Sequence, residues 1–245
     1  SYWLSLCCCL LLISISTAQA QLEIEITQGV ARATPIAIVP FAWQVGEEVE
    51  PVETVSQVIA SDLYRSGLFD PMPESDMIEK PTEPGDIRYG TWRLLKVDAV
   101  VIGQIRNVVG GYDVEFHVYD VFSGRSIIAD TLFVGSGDLR LGAHRVADRI
   151  FEALTGTPGA FASRIAYVVA TGTGNDSLYE LVVADSDGYN EQAVVSDTQP
   201  LLSPAWSPDS RMLAYVSFSR GNSTVYMQNI FTGERKRIAA HKGIN

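Results

Sequence analysis

The chain has 245 residues, 47% of them hydrophobic, with 29 acidic against 18 basic side chains and a net charge of −11. That balance, with no basic stripe, excludes a nucleic-acid surface of the usual electrostatic kind. The length allows two domains with ordinary hydrophobic cores. All three cysteines, Cys7, Cys8 and Cys9, fall near the start, so the rest of the chain has no disulfide to make.

Residues 1–20 carry no charge. Leu4 to Ile15 is mostly apolar and gives way to small and polar residues ending Ala18-Gln19-Ala20. This is the pattern of a signal peptide cleaved between Ala20 and Gln21. A membrane anchor is the competing reading, but the apolar run is shorter than the roughly 20 residues of a span. An acylated lipoprotein cysteine would follow the apolar run. Cys7, Cys8 and Cys9 lie before its Leu10 to Ile15 stretch rather than after it, and read as apolar filler. Ser1 in place of an initiating Met is taken to mean that the start of the precursor, with its basic segment, is missing.

Leu22-Glu23-Ile24-Glu25-Ile26 alternates apolar and acidic residues, a strand wet on one side. Thr27 to Ala33, with Gly29 and Val30, reads as a flexible tether. By pattern alone the strand is an edge strand of the first domain; the sharper alternative is a strand offered to a partner's sheet. Residues 34–157 are expected to form an α/β domain, a mixed sheet with helices on it. Pro35 to Phe41 is a buried strand. Gly46 to Glu53 is an acidic loop. Val52 to Ser66 is a helix with Val55, Val58, Ile59 and Leu63 on one face, stopped by Gly67. A short extended piece, Phe69 to Met72, precedes a proline-rich loop through Pro84. Asp86 is expected to cap a helix reaching Leu95, with Ile87, Trp92 and Leu95 buried. A three-stranded meander follows over 99–109, 112–121 and 126–134, turning at Gly110-Gly111 and Ser123-Gly124. Asp138 to Leu154 is a helix, with Leu141, Val146, Ile150 and Leu154 as core candidates. Residues 158–163 form a linker after the stop at Gly156.

From 164 onward one pattern occurs twice. Ile165-Ala166-Tyr167-Val168 returns as Leu213-Ala214-Tyr215-Val216, Ser177-Leu178-Tyr179 as Thr224-Val225-Tyr226, and Asp187-Gly188 as Thr232-Gly233. The spacings are 48, 47 and 45 residues. A unit of this length, made of short strands and glycine turns, is a β-propeller blade. Residues 164–245 therefore read as the first two blades of an all-β propeller whose other blades are missing. Pro204-Ala205-Trp206-Ser207-Pro208-Asp209-Ser210 precedes the second unit, and nothing like it precedes Ile165. The first blade thus lacks its innermost strand, a gap that a segment beyond Asn245 is expected to fill.

Little in the sequence suggests chemistry. Gly135-Ser136-Gly137 opens a helix after a strand, but Gly142 comes too late for a dinucleotide fingerprint, so a plain turn is the reading. Gly172-Thr173-Gly174 is a hairpin loop. His117, His144 and His241 have no second ligand at zinc spacing. No nucleophile elbow is present. Glu47, Glu48, Glu50 and Glu53 form a solvated loop, and Trp206 and the repeat tyrosines are packing residues. No cofactor, metal or catalytic residue is expected.

Four stretches carry a family resemblance: Pro35 to Phe41, Leu154-Thr155-Gly156 through Tyr167-Val168, Asp187-Gly188-Tyr189-Asn190, and Ser203 to Asp209. With the leader, the alternating strand, the α/β domain and the Ala-Tyr-Val blades, the mature chain resembles the TolB family of the Tol–Pal envelope system. The resemblance implies a six-bladed ring and a non-enzymatic periplasmic adaptor. Such an adaptor links inner-membrane TolA to the outer-membrane lipoprotein Pal and supports outer-membrane integrity and constriction at cell division. It implies that Leu22, Glu23, Ile24, Glu25, Ile26, Thr27, Gly29 and Val30 bind the TolA C-terminal domain, which moves the weighing of that strand toward the partner reading. It also implies that a blade loop beginning at Ile244 and Asn245 faces Pal, with other outer-membrane lipoproteins or porins as further partners. The alternatives are a propeller joined to a hydrolase or peptidase domain beyond Asn245, and a propeller that binds sugar or peptide in its channel.

Overall fold

A computed structural model describes residues 33–241 apart from positions 47 and 52. The leader, the segment from Leu22 to Val30 and the pair Ile244 and Asn245 lie outside the described residues.

The first part of the chain is a mixed sheet with helices. Its strands are β1 (Thr34–Ile38), β2 (Ala42–Gln44), β3 (Phe69–Pro71), β4 (Ala99–Val108), β5 (Gly111–Asp120) and β6 (Ser126–Gly135). The order is β3-β1-β4-β5-β6, with β2 also paired to β4. β3, β1 and β2 run parallel to their partners, and β4, β5 and β6 form the antiparallel meander. Alternation along β1 explains why its sequence is apolar throughout. Ile36 and Ile38 enter one core and Ala37 and Val39 the other, so the strand is buried on both faces. The expected single strand to Phe41 is instead broken. Pro40 has no N–H to give to the ladder, and the register against β4 slips by one residue between Ile38↔Val101 and Ala42↔Gln104.

One face of the sheet is covered by α1 (Val55–Arg65) and α3 (Leu139–Thr155), the other by α2 (Tyr89–Leu94) and its flanking turns. α1 begins at Val55, later than expected, because Thr54 and Gln57 form a reciprocal capping box. Asp86 does not cap α2. It lies in a 3₁₀ turn begun by Pro84, and α2 starts after Arg88, whose N–H goes to the Glu79 carboxylate at 3.1 Å. Ile87 and Trp92 are buried as expected, and Leu95 packs half-buried against them. Ile59, Leu63 and Ile150 are fully buried. Leu141 is only half-buried and joins no cluster; α3 meets the sheet through Ala143, Val146, Ala147 and Ile150. The helix lies so close that a Cβ on Gly142 would sit 2.5 Å from a Val134 methyl, which is what glycine permits there.

Two β-sheets follow. The first blade has three strands, β7 (Arg164–Thr171), β8 (Leu178–Asp185) and β9 (Gln192–Asp197). The second has four, β10 (Leu201–Trp206), β11 (Met212–Ser217), β12 (Thr224–Asn229) and β13 (Arg235–Ala239). The added strand is β10, which contains Pro204-Ala205-Trp206. Leu181 and Val183 of the first blade pack with Leu201, Leu213, Tyr215 and Tyr226 of the second in one shared core, with Tyr179 and Trp206 against it. Tyr179, Tyr215, Tyr226 and Trp206 therefore serve as packing between blades, whereas Tyr167 does not join this core.

Candidate functional site

The most densely connected polar region is the junction between the helical layer and the first blade. α1 offers Asp62 at a position that its apolar stripe would give to a hydrophobic residue, three after Ile59. α3 offers Arg140, His144 and Asp148. The turn after β8 offers Asp187 and Tyr189. Asp62 and His144 are each 1% exposed. His144 Nδ1 lies 2.6 Å from Asp62 Oδ2, and its Nε2 lies 3.5 Å from Asp187 Oδ2. Arg140 bridges Asp187 and Glu53, and its guanidinium stacks 4.1 Å over the Tyr189 ring. Arg65 pairs with Asp62 and donates to the Ser186 carbonyl at 3.2 Å.

The turn itself is fixed from within. Asp185 N–H donates to the Tyr189 carbonyl and Gly188 N–H to the Asp185 carbonyl, both at 2.8 Å. Tyr189 N–H donates to Asp187 Oδ1 at 3.0 Å, and the Asn190 amide donates to Asp185 at 2.7 Å. Burial alone would raise the Asp187 carboxyl, but the Tyr189 N–H and the Arg140 guanidinium overcome it and hold the group below the usual carboxylate range. Burial pushes the Asp148 carboxyl up, although it accepts from the Phe161 and Ala162 N–H groups at 2.6 and 3.2 Å. Those bonds tie the linker to α3. Gly159 crosses so close that a Cβ there would meet Asp148 Oδ1 at 2.5 Å. Beside the linker is an open groove of about 470 Å³ lined by Arg65, Phe151, Pro158, Phe161 and Ser186.

The blades join through single polar side chains. Gln228 accepts from the Tyr215 hydroxyl at 3.1 Å and donates across to the Val194 carbonyl at 3.0 Å. Arg164 donates to the Ser210 carbonyl at 3.0 Å and lies 5.3 Å from the ring centres of both Trp206 and Phe231. Among the described residues no three His, Cys, Asp or Glu side chains are grouped to hold a metal. Gly135-Ser136-Gly137 is a turn before α3, and His117 is in β5 against Glu115. The expected partner-binding residues, Leu22 to Val30, Ile244 and Asn245, lie outside the described residues.

The quartet of Asp62, Arg140, His144 and Asp187 was not singled out from sequence. Two signals existed. A carboxylate fell on the apolar face of α1, and a histidine fell beside the buried stripe of α3. Neither discloses that Asp187, 43 residues after His144, meets them. Asp187-Gly188-Tyr189-Asn190 was notable only as a resemblance motif. Its geometry shows what the motif does: Asp187 and Tyr189 seat the first blade on Arg140 and His144.

Comparison with known proteins decides the family. Residues 22–127 match the TolB amino-terminal domain and residues 151–245 the TolB beta propeller domain. The chain belongs to the TolB family. It is 46% identical over 220 residues to the Tol-Pal system protein TolB of Methylococcus capsulatus, covering 90% of this chain and 51% of that one. It is 45% identical over 221 residues to the corresponding Xanthomonas oryzae pv. oryzae protein, covering 90% and 50%. The crystal structure of TolB from Acinetobacter baumannii matches with a TM-score of 0.76 and 34% identity, over 90% of this chain and 53% of the other. The chain thus spans about half the length of the curated TolB relatives it matches. No helix among its described residues is long and apolar enough to cross a membrane.

Proposed function

We propose that this TolB-family chain belongs to a non-enzymatic periplasmic adaptor of the Tol–Pal system, joining the TolA C-terminal domain to Pal and so supporting envelope integrity during constriction. The observation that carries this is the paired match, an amino-terminal TolB domain followed by a TolB propeller, in relatives named as Tol-Pal system proteins. In this reading Leu22, Glu23, Ile24, Glu25, Ile26, Thr27, Gly29 and Val30 pair with a TolA sheet edge. Such a strand gains affinity through main-chain hydrogen bonds, and its alternating side chains set specificity. The Pal contact is assigned to blade loops that include Ile244 and Asn245. Export to the periplasm follows the leader with cleavage after Ala20.

The test is titration calorimetry of the mature chain, starting at Gln21, with a TolA C-terminal domain, alongside a form lacking Gln21 to Arg32. Binding should vanish on deletion while the melting temperature stays within about 2 °C, since the segment precedes the β1 core. Equal binding by both forms rules out the assignment of the segment. A large drop in melting temperature would place the segment in the core instead.

A further inference from the structure

We propose that the recess at the end of the β11–β12 hairpin binds an oxyanion, the carboxylate or phosphate group of a ligand, between Arg220 and Arg237. The recess has a volume of about 200 Å³ and is lined by Arg220, Asn222, Ser223, Thr224, Arg237 and His241, with no carboxylate in its wall. Its charge departs from that of the chain. The whole chain carries −11. Residues 201–241 nonetheless hold five basic side chains, Arg211, Arg220, Arg235, Lys236 and Arg237, against two acidic ones, Asp209 and Glu234. Elsewhere guanidiniums find carboxylates within the fold, as Arg65, Arg106 and Arg140 do. Among the described residues Arg220 and Arg237 meet none. Their strand neighbour Arg235 is engaged by the Tyr226 ring, 5.0 Å from its centre. Two like charges around one small recess repel, and an anion placed between them turns repulsion into two charge-assisted contacts.

The backbone sets these groups in place. Gly221 N–H donates to the Phe218 carbonyl at 2.9 Å, and Gly221 takes φ +78°, a left-handed conformation that favours glycine. Ser219 N–H donates to Ser217 Oγ at 3.2 Å. These bonds fix the turn that carries Arg220. Arg237 of β13 stands opposite Tyr226, which puts it on the sheet face that Thr224 shares. Ser223 and Thr224 are 2% and 3% exposed. The Thr224 hydroxyl reaches only the Asn222 carbonyl at 3.5 Å, the outer limit of a hydrogen bond. Turning it toward an anion oxygen therefore gives up little. Each guanidinium presents its N–H donors as a rigid fork that matches a carboxylate or a phosphate, so the recess offers a fork from each side and a buried hydroxyl between.

Heteronuclear NMR of the mature chain tests this, with inorganic phosphate and N-acetylglutamate amide titrated separately against sodium chloride at matched ionic strength. At least one of the two anions should shift the Asn222 to Thr224 amides and the Arg220 and Arg237 Nε–H signals saturably, and chloride should not. A response to N-acetylglutamate amide makes a carboxylate the occupant; a response to phosphate alone makes it a phosphate group. Arg220→Gln and Arg237→Gln should each weaken the apparent affinity about fivefold, the size of one exposed ion pair, with the melting temperature unchanged. Arg211→Gln, which removes a basic side chain of the same blade outside the recess, should leave the affinity as it is. No saturable shift with either anion overturns the proposal, as does parent affinity in both Arg220→Gln and Arg237→Gln. Equal weakening by Arg211→Gln also overturns it, because the shifts would then report the charge of the blade and not a site.

Discussion

The two blades share one sequence pattern but are held differently. Leu213 and Tyr215 of the second blade are 0% and 1% exposed, and their repeat counterpart Ile165 is 40% exposed, with Tyr167 half-buried. The residue types are nearly the same; the neighbours are not. Leu213 and Tyr215 face Leu181 and Val183 of the first blade. The corresponding face of the first blade has no blade against it among the described residues, and its Tyr167 hydroxyl turns to Glu191 at 2.6 Å. The first blade is anchored through its end instead, by the Asp187 turn on α3. The second blade presents its tyrosine face to the blade before it, so burial depends on a blade's neighbour rather than on the strand's own composition.

The largest test of this contrast is a pair of truncations. Tyr215→Ala should cost about 3–5 kcal/mol, the range for losing a fully buried aromatic. Tyr167→Ala should stay below about 1 kcal/mol, as for a surface site. Denaturant midpoints of the two variants decide it, and equal losses would show that the first blade's tyrosine face is covered in solution. Gln228→Ala comes next. It leaves the Tyr215 hydroxyl and the Val194 carbonyl without their partner, so a loss of about 1–3 kcal/mol is expected. Tyr215→Phe with Gln228→Ala should cost less than the separate losses added together, because the two side chains act as one bridge.

The anchor of the first blade responds to pH. Asp187 has a depressed folded pKa, so its contribution is present above the unfolded aspartate value of about 3.9 and is lost as pH falls through the folded one. Asp187→Asn should be less stable than the parent near neutrality. Its stability should also fall less steeply on acidification. Parallel pH profiles for the two proteins would detach Asp187 from the anchor.

The sequence carried the architecture further than the contacts. The apolar run from Pro35, the stripe of Val55, Val58, Ile59 and Leu63, and the doubled blade pattern each record burial that a single element imposes on its own residues. Their period is legible because packing selects on it. The capping of α2 misled because a proline turn removed Asp86 from the position that its residue type favours. The junction was illegible for a different reason. A buried His144 placed between Asp62 and Asp187 needs only that three distant segments meet, and that leaves no spacing to read.

The smallest expected effect on stability concerns sheet edges, where the two regions again differ. β13 closes the second blade with exposed Arg235, Lys236 and Arg237, like charges on both faces of an edge strand that discourage a second strand. β6, ten residues long at the edge of the helical domain's sheet, carries Ile127 and Phe133 at 39% and 57% exposure and has little charge. The two-residue turn from Val108 to Gly111 sets which backbone groups of β5 point to β4, and therefore which groups of β6 point outward. Those belong to Ile127, Ala129, Thr131 and Phe133. Asp130 covers the middle of that edge: its carboxylate accepts the Thr131 N–H at 2.8 Å. A strand approaching β6 must displace that bond and meet a charge. Asp130→Ala should therefore shift the denaturant midpoint by no more than about 0.5 kcal/mol, yet lower the concentration at which light scattering detects association. Asp130→Asn keeps an acceptor for the Thr131 N–H but no charge, and should fall between the two. Association of Asp130→Ala no different from the parent would mean that the twist of the sheet, rather than this carboxylate, protects the β6 edge.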